Sequence, residues 1–390
     1  MLRSFMSRVI LIGILLHLYV GIRLIPSLPV GTVGHTLLAL WLVVSLLIIP
    51  QGMQRRDGAP RGLRKFVTWV ALLAMALFSF LLTLTLIREG VLLVCAMISL
   101  ISPAFALNWP EARIQMITAI VVVVGAALML LIGVYNARRR APIVDIDIPI
   151  ADLPTALHGF TIAQISDIHV GPTIKKRYLD PIVDAVNGLN ADMVAITGDL
   201  VDGTVPALAA HTQALSRLRG KHGVFVCTGN HEYYAGADAW IAEFTRLGLR
   251  VLMNEHVVLD HAGTPLVLGG VTDFSAPHFG ARHRSDPARA IAGAPAAALV
   301  RILLAHQPRS CKAAEAAGFT VQLSGHTHGG QFFPWNFAVR MQQPFTAGLV
   351  RTGRMWMYIS RGTGYWGPPV RLAAPSEITR IRLVNGPQSA

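Results

Sequence analysis

Long apolar stretches follow one another from near the start of the chain to Tyr135. They cover residues 9–25, 33–49, 66–87, 91–107 and 114–135. A helix of about 20 apolar residues, or as few as about 17, spans the hydrocarbon core of a bilayer. The pattern therefore predicts a helical transmembrane anchor over residues 1–140 with four or five spans. We expect a multi-pass protein of a cell membrane, such as a bacterial inner membrane.

Basic residues flank these stretches and bear on which side of the membrane the rest of the chain lies. Arg3 and Arg8 precede the first stretch, five Lys/Arg lie between residues 55 and 65, and arginines occupy residues 138–140. The positive-inside rule places the first two groups in the cytoplasm. Five spans then put the residues after 140 outside the cytoplasm, against the last basic group. If the 91–107 stretch is interfacial or re-entrant, four spans keep them inside.

The net charge of +13 is concentrated in this anchor. Residues 1–140 hold 13 Lys/Arg against 3 Asp/Glu, so the remaining residues contribute only +3. The basicity belongs to loops beside membrane segments rather than to a nucleic-acid-binding face, and we expect no nucleic acid as a partner. Arg23, Arg88 and Glu89 fall at stretch ends, where their side chains reach the interface. This favours an anchor in the lipid bilayer over a transporter with an accessory enzyme domain.

Short β-rich runs alternate with helical patterns after a linker expected over residues 141–154. The periodicity predicts helices at residues 178–189, 211–218 and 237–247. It predicts strands at residues 159–165, 192–197, 223–228, 257–260, 265–271, 301–305, 320–323, 356–360 and 377–383. This alternation implies a largely buried central β structure covered by helices.

Five short polar motifs follow the ends of predicted strands. Loops at strand ends converge on one point while the sheet holds them rigid. The Asp, Asn and His side chains of the motifs suffice to ligate two metal ions and leave one His over. Nitrogen and oxygen ligands without Cys suit Mn, Fe, Zn, Ni or Co, so we expect two such divalent or transition metal ions as cofactors. The motifs are Asp167-Ile168-His169, Gly198-Asp199, Gly229-Asn230-His231-Glu232, His306 and Gly325-His326-Thr327-His328.

In this order the motifs resemble the calcineurin-like metallophosphoesterase superfamily. Asp202, three residues after Asp199, belongs to the same superfamily pattern. The segments Ala305-His306-Gln307-Pro308 and Gly325–Gln331 and the tail between Arg361 and Arg371 resemble its membrane-associated, YkuE-like branch with N-terminal transmembrane helices. The resemblance covers about residues 155–385. It implies an α/β metallophosphoesterase domain, a four-layer αββα sandwich, after the transmembrane region. Gly203 stands where many relatives have Arg.

The resemblance also implies a role for each motif residue. His231, adjacent to a ligand but not one itself, would face the substrate as general acid or as a partner of a phosphate oxygen. The seven others would be metal ligands: Asp167, His169 and His328 for the first ion, Asn230, His306 and His326 for the second, and Asp199 as the bridge between them.

Such a centre hydrolyses phosphodiesters, phosphomonoesters or pyrophosphates. Two ions about 3.5–4 Å apart share a bridging hydroxide that attacks phosphorus, and they clamp the phosphate oxygens. His231 would protonate the leaving alkoxide. We expect a membrane-anchored, metal-dependent phosphoric ester hydrolase, and the fused helices alone motivate the hypothesis of a lipid-linked substrate. The alternative is a catalytically silent metal-binding regulatory or scaffold protein, which the retained His231 disfavours.

Other residues near the motifs have two interpretations each. Asp202 and Glu232 either orient ligand imidazoles or serve as a turn acid and a helix-start acid. The loop at residues 274–289, with its two histidines, either covers the metals or is simply solvated. The aromatic residues between 332 and 335 form an apolar lip for a lipid or pack in the core. At least one of the arginines between residues 351 and 371 is expected to contact the substrate.

Overall fold

The computed structural model describes residues 2–53, 61–102 and 110–387 of the chain. The chain divides into two compact units. The helical unit comprises Met1–Tyr135 with Gly367–Val370, and the α/β domain comprises Asn136–Trp366 with Arg371–Ala390.

Four long helices form most of the described part of the N-terminal region, and each is long and apolar enough to cross a membrane. They are α1 Leu2–Leu24, α2 Gly31–Met53, α3 Arg61–Ile101 and α4 Glu111–Arg138. Helix α3 joins the apolar stretch 66–87 to the stretch 91–107 as far as Ile101, so the latter is not a separate helix up to that point. The polar residues between the stretches include Arg and Glu, which favour helix, and a single Gly is tolerated there. Residues 103–107 lie outside the described residues.

Three charged side chains of the helical unit pair with one another. Arg88 of α3 is buried and lies 2.6 Å from Glu89, which also pairs with Arg23 of α1. Arg88 further donates hydrogen bonds to Thr118 Oγ1 of α4 at 2.9 Å and to the Arg23 carbonyl at 3.2 Å. Because a charge buried among apolar helices is costly unless it is paired, this cluster fixes which levels of α1, α3 and α4 lie side by side.

Two six-stranded sheets form the α/β domain, in the orders β1-β12-β2-β3-β4-β5 and β10-β11-β9-β8-β7-β6. Neighbouring strands are parallel except in the pairs β12–β2, β10–β11 and β6–β7. The strands of the first sheet are β1 Ile143–Ile150, β2 Thr161–Ile165, β3 Met193–Ile196, β4 Val224–Val226, β5 Arg250–Val251 and β12 Ile378–Asn385. Those of the second are β6 Glu255–His261, β7 Thr264–Gly270, β8 Val300–Leu304, β9 Val321–Ser324, β10 Gly348–Thr352 and β11 Met355–Ile359.

Seven helices accompany these strands in the described part of the domain. They are α5 Lys176–Gly188, α6 Val205–Thr212, α7 Asn230–Ala235, α8 Ala237–Arg246, α9 Pro287–Ile291, α10 Cys311–Ala316 and α11 Trp335–Gln342. Alternate residues of each strand point to opposite faces of its sheet. Met193 and Ala195 of β3 face the second sheet, whereas Val194 and Ile196 of the same strand pack beneath α5, α6 and α8. On the second sheet, the outer face packs against α9 and α10. The result is the expected order of layers, helix–sheet–sheet–helix.

The predicted strands and the longer helices correspond well to this architecture. The prediction did not include the short helices α7, α9, α10 and α11 or the two-residue strand β5. Three further differences concern β1, α6 and β10. The expected linker at residues 141–154 contains β1, an edge strand that pairs in parallel with β12. Its alternating Ile-Val-Asp-Ile-Asp-Ile pattern is typical of a half-exposed strand, so the prediction of a linker was wrong there. The helix expected at 211–218 is instead α6 followed by a 3₁₀ turn, Gln213–Arg217. Strand β10 was missed because its residues are only partly buried and carry no alternation of polar and apolar side chains.

Candidate metal centre

All five polar motifs follow the carboxyl ends of parallel strands. Three of these strands lie side by side in the first sheet and two lie side by side in the second. Because the two sheets pack face to face through one core cluster, their loops approach each other at one end of the sandwich. The motifs follow β2, β3, β4, β8 and β9 in that order, at Asp167, Asp199, Asn230, His306 and His326.

Five of the seven predicted ligands have left-handed backbone conformations, which side chains other than Gly rarely adopt. Such strain costs of order 1–3 kcal/mol at each residue and persists only where the surroundings enforce it. Here neighbouring loops enforce it: the Asp167 amide donates to the Gly198 carbonyl at 3.0 Å, and the Gly364 amide donates to the Asp167 carbonyl at 3.1 Å. The five residues and their φ angles are Asp167 (53°), His169 (56°), Asp199 (52°), His326 (71°) and His328 (51°).

Two motif glycines permit the loops to touch. A Cβ atom on Gly229 would lie 2.2 Å from Asp199 Oδ1, and one on Gly325 would lie 2.0 Å from Ser166 Oγ and 2.2 Å from Asp167 Oδ2. No side chain fits at such distances. The glycines in the Gly-Asn-His-Glu and Gly-His-Thr-His motifs are therefore required by the close packing around the two Asp carboxylates.

The first group of ligands combines Asp167, His169 and His328. Their potential ligand atoms all lie within 4.8 Å of one another, and all three side chains are buried. His169 Nε2 is 3.1 Å from His328 Nε2, and His328 Nε2 is 3.5 Å from Asp167 Oδ1. Two imidazole nitrogens and a carboxylate oxygen converging in this way are a suitable set for one divalent ion.

The second group is built around Asp199. His306 Nε2 lies 3.1 Å from Asp199 Oδ2 and 3.2 Å from His326 Nδ1, and the three residues again offer ligand atoms within 4.8 Å. Asp199 also belongs to a third group with His169 and His231. Its carboxylate therefore lies between the two sets of imidazoles, where a bridging ligand has to be.

Asn230 supplies the observation that tests whether these residues suit a metal. Its side-chain oxygen is buried and makes no hydrogen bond with any described residue. The residues on either side of it both approach Asp199: the His231 amide donates to Asp199 Oδ1 at 2.9 Å, and Gly229 packs against the same carboxylate so closely that it has no room for a Cβ atom. A buried amide oxygen without a hydrogen bond is costly. A cation at the second group would satisfy it, so the residues present fit a dinuclear site.

The electrostatics of the site also suit cations. Burial lowers the pKa of His326 to about 3 and lowers that of His328 well below its ordinary value, so both rings are neutral and able to ligate. Burial acts in the same direction on His231, but the carboxylates of Asp199 and Asp202 outweigh it and raise the pKa of His231 to about 9. The buried carboxylates thus create a negative potential that protons or metal ions can neutralise.

Asp202 orients two of the imidazoles from outside the ligand set. Its Oδ1 accepts hydrogen bonds from His169 Nδ1 at 2.9 Å and from His231 Nδ1 at 2.6 Å. The carbonyl oxygen of Thr197 does the same for His306 Nδ1 at 2.7 Å. These contacts direct the Nε2 atoms of all three rings toward Asp199, the arrangement that fixes ring orientation in metal sites.

Glu232 does not orient an imidazole, in contrast to one of its two sequence interpretations. Its carboxylate is buried and accepts hydrogen bonds from the backbone amides of Gly229 at 2.7 Å, Asp199 at 3.0 Å and Leu200 at 2.8 Å. It therefore joins the loop after β3 to the start of α7. Burial and the neighbouring Asp199 carboxylate raise the pKa of Glu232 to about 7.

Arg371 takes a structural position rather than the substrate contact considered for the arginines near the tail. It is fully buried, and its guanidinium donates to the carbonyls of His328 (2.9 Å), Arg361 (2.7 Å) and Gly364 (3.0 Å). It also lies 3.1 Å from His328 Nδ1. Arg361 pairs with Glu377 at 2.8 Å. Arg371 thus supports the backbone behind the first ligand group.

Aromatic residues beside His231 were missed in the sequence. The rings of Tyr234 and Trp366 lie edge-on to His231, with centroids 5.1 and 5.7 Å away. Of the two interpretations of residues 332–335, a single exposed lip does not hold, because Phe332 is buried and only Trp335 is largely exposed. Position in sequence alone does not associate Tyr234 with Trp366, since one follows β4 and the other follows β11, and only the fold unites them.

The fold and the site together define a two-sheet α/β domain with a cluster of metal-type ligands at its strand ends. Residues 160–330 match the family described as calcineurin-like phosphoesterase. Over 323 residues the chain is 31% identical to an uncharacterized metallophosphoesterase of Campylobacter jejuni, covering 81% of this chain and 82% of the relative. The chain belongs to the calcineurin-like metallophosphoesterase family, which confirms the resemblance seen in the motifs.

Two further relatives match the branch suggested by the motifs. The chain is 37% identical over 265 residues to a transmembrane protein with metallophosphoesterase domain from Danio rerio, covering 66% of this chain. It is 28% identical over 244 residues to the uncharacterized metallophosphoesterase YkuE of Bacillus subtilis, covering 59% of this chain and 81% of YkuE. The chain spans only 60% of the length of the Danio rerio protein and of a similar protein from Bos taurus.

The shared position of Asp199 predicts different effects for two substitutions. Asp199→Asn should lower the metal content of the purified protein at both positions, because the carboxylate touches both ligand groups. His231→Ala should retain about two ions per chain, because His231 lies outside the proposed ligand set. Elemental analysis after dialysis measures both, and equal metal loss in the two variants would contradict the assigned roles.

The contacts of Glu232 predict a loss of stability. Glu232→Gln replaces one of the two accepting oxygens with an NH₂ group, so at least one of the three buried amides loses its acceptor. The change is worth about 2 kcal/mol and should lower the thermal midpoint of the α/β domain by roughly 4 °C or more. Glu255→Gln is the control, since Glu255 is an exposed side chain of β6 and should shift the midpoint far less. Differential scanning calorimetry compares them. An unchanged midpoint in Glu232→Gln would show that the three amide contacts contribute little.

Proposed function

We propose that the protein is a membrane-anchored dimetal phosphoesterase that hydrolyses a phosphoric ester bond. The observation that carries the proposal is the convergence of seven Asp, Asn and His side chains at the ends of five strands, all buried except the half-buried His326, with Asp199 between two imidazole groups. Family membership supports the same chemistry. The four long apolar helices support attachment to a membrane.

The residues divide into ligands and a proton donor. Asp167, His169 and His328 would hold one ion, and Asn230, His306 and His326 the other, with Asp199 shared. Two ions held there would polarise the phosphate oxygens and supply hydroxide at neutral pH. The strained, hydrogen-bonded loops keep the ligands in place before the substrate arrives, which reduces the reorganisation needed during the reaction.

His231 is suited to proton transfer by its position and its partners. Its Nδ1 is held by Asp202 at 2.6 Å, and its Nε2 lies 3.9 Å from Asp199 Oδ2. The ring is therefore anchored on one side and directed toward the ligands on the other. As an oxygen from water bonds to phosphorus and the bond from phosphorus to the leaving oxygen breaks, His231 gives its proton to that leaving oxygen. The attacking water releases one proton to solvent and His231 regains one from solvent, so the products are the free alcohol and the remaining phosphate.

A lipid-linked substrate is the finer part of the proposal. Four apolar helices keep the chain in a membrane, so its α/β domain meets membrane-bound phosphoesters at a high effective concentration. A scaffold protein without catalysis would require no proton donor beside the ligands. The position of His231 favours the enzyme.

We also propose that the chain crosses a bacterial inner membrane four times, with the α/β domain in the cytoplasm. Helix α3 is continuous over 41 residues, about 61 Å, whereas the hydrocarbon core is about 30 Å thick, and one straight helix crosses once. Four crossings put the N-terminal arginines, the basic loop at residues 55–65 and the arginines at residues 138–140 on one side. That distribution agrees with the positive-inside rule.

Hydrolysis of two phosphodiesters tests the activity. The purified chain with added Mn²⁺ should hydrolyse both bis-p-nitrophenyl phosphate and a dialkyl phosphate. His231→Ala should slow the dialkyl ester by about 10²–10⁴, because a poor leaving group needs a proton. It should slow the p-nitrophenyl ester much less, since p-nitrophenolate leaves as a stable anion. His158→Ala is the control, because His158 lies on the surface outside the site.

The outcomes separate enzyme from scaffold. A protein that carries two ions per chain and hydrolyses neither diester, and also neither p-nitrophenyl phosphate nor pyrophosphate under the same conditions, is a metal-binding scaffold, contrary to the proposal. Equal slowing of both esters in His231→Ala would mean that His231 binds the phosphate rather than protonating the leaving group. Metal content is measured in the same samples, so loss of metal is distinguished from loss of proton transfer.

Reporter fusions test the topology. A fluorescent protein fused after Ala390 in a bacterial host should fluoresce, because it remains in the cytoplasm. Alkaline phosphatase fused after Ser102 should be active, because that point follows an odd number of crossings. An active phosphatase after Ala390 would contradict four crossings.

A further inference from the structure

Two aromatic side chains lie beside His231, and a third from another segment packs against one of them. Tyr234 lies on α7, Phe279 ends the 3₁₀ turn Ala276–Phe279, and Trp366 lies in the loop after β11. The ring centroids of Tyr234 and Trp366 are 5.1 and 5.7 Å from that of His231, and Phe279 is 5.5 Å from Tyr234. Tyr234, Phe279 and Trp366 are called the aromatic rim below.

The aromatic rim is exposed, and the backbone of one of its members, Trp366, is held by hydrogen bonds. Tyr234 and Phe279 are each 49% exposed and Trp366 is 42% exposed. The backbone of Trp366 is held on both sides by Gln331, whose Oε1 accepts from the Trp366 amide and whose Nε2 donates to the Trp366 carbonyl, both at 2.9 Å. Apolar side chains scattered singly over a surface are normal, whereas a cluster of large exposed ones is typical of a binding site.

The chemistry at His231 indicates what covers the aromatic rim. A general acid must lie within hydrogen-bond reach of the leaving oxygen that it protonates. The group attached to that oxygen must then lie beside His231, where the rings of Tyr234 and Trp366 are. These rings are uncharged, so they suit an apolar leaving group better than one that carries a second phosphate.

We propose that the aromatic rim is a subsite for the apolar part of the leaving alcohol, and that this alcohol bears an alkyl or acyl chain, as a lipid does. The inference rests on the proposed function, because it takes His231 as the proton donor. An alkyl chain is favoured over an aryl ring because the protein's four apolar helices place it in a membrane, where alcohols with such chains are abundant. Tyr and Trp also suit a surface with one apolar and one wet side.

Binding of phosphonates by the full-length, metal-loaded protein tests the subsite without turnover. Isothermal titration compares methylphosphonate, hexylphosphonate and phenylphosphonate, whose carbon–phosphorus bonds resist hydrolysis. Covering part of the hexyl chain should tighten binding about tenfold relative to methyl. Trp366→Ala and Phe279→Ala should each reduce that preference several-fold, and Trp366→Phe should restore most of it.

Trp335→Ala is the matched control. Trp335 is the same residue type and is similarly exposed, at 46%, but it lies on α11 outside the aromatic rim. The control should keep the tenfold preference for hexylphosphonate. Partition of the hexyl chain into detergent or lipid affects all variants equally, so a loss of preference confined to the rim variants indicates direct contact with the rim.

Three results would overturn the subsite as proposed. Equal weakening of methylphosphonate and hexylphosphonate by Trp366→Ala would show that the ring only positions His231. A hexyl preference that survives in both variants would place the apolar contact elsewhere. A rim-dependent preference for phenylphosphonate over hexylphosphonate would assign the subsite to an aryl group.

The proposed function and the subsite fail separately. A protein that shows the rim-dependent hexyl preference but hydrolyses no phosphodiester contradicts the proposed enzyme and retains the binding site. A protein that hydrolyses phosphodiesters but binds all three phosphonates equally contradicts the subsite alone.

Discussion

The confinement of buried carboxylates next to buried imidazoles is the constraint on which the α/β domain depends. Asp167 and Asp199 are almost completely removed from solvent, and isolated ionised carboxylates are very costly there. The fold offsets this cost with backbone amides, imidazole partners and positions for cations. The His326 amide donates to both oxygens of Asp167, and the His231 amide donates to Asp199. The left-handed ligands and the crowded glycines follow from the same requirement, since loops from two sheets must approach within contact distance of those oxygens.

The two-sheet architecture makes this confinement possible. Each sheet alone would bring only two or three motifs to its edge, and neither set would complete two ligand groups. Packing the sheets face to face adds His306 and His326 to the motifs of the first sheet. Supporting residues then come from distant segments: Asp202 orients His169 and His231, Glu232 joins β3 to α7, and Arg371 holds the loop that carries His328.

The sequence allowed most of the fold and the candidate ligands to be predicted because each depends on local signals. Apolar runs of fixed length indicate membrane helices, and short polar motifs after β-rich runs indicate strand-end loops. The predictions failed where the signal is not local. Strand β1 was assigned to a linker although its sequence alternates as a strand does, and what identifies it as part of the sheet is β12, which lies at the opposite end of the α/β domain in sequence. Glu232 was considered as a partner of an imidazole because sequence does not show that three backbone amides point at it.

The sequence by itself determined the kinds of atoms available for chemistry, their order along the chain and the apolar helices that precede them, since these are properties of residue type and spacing. The tertiary structure decided which side chains share a space. It placed Asp199 between the two ligand groups, gave Asn230 a buried oxygen without a hydrogen bond to any described residue, and brought Tyr234 and Trp366 to His231. Those arrangements arise from packing between segments far apart in the chain, and no local pattern encodes them.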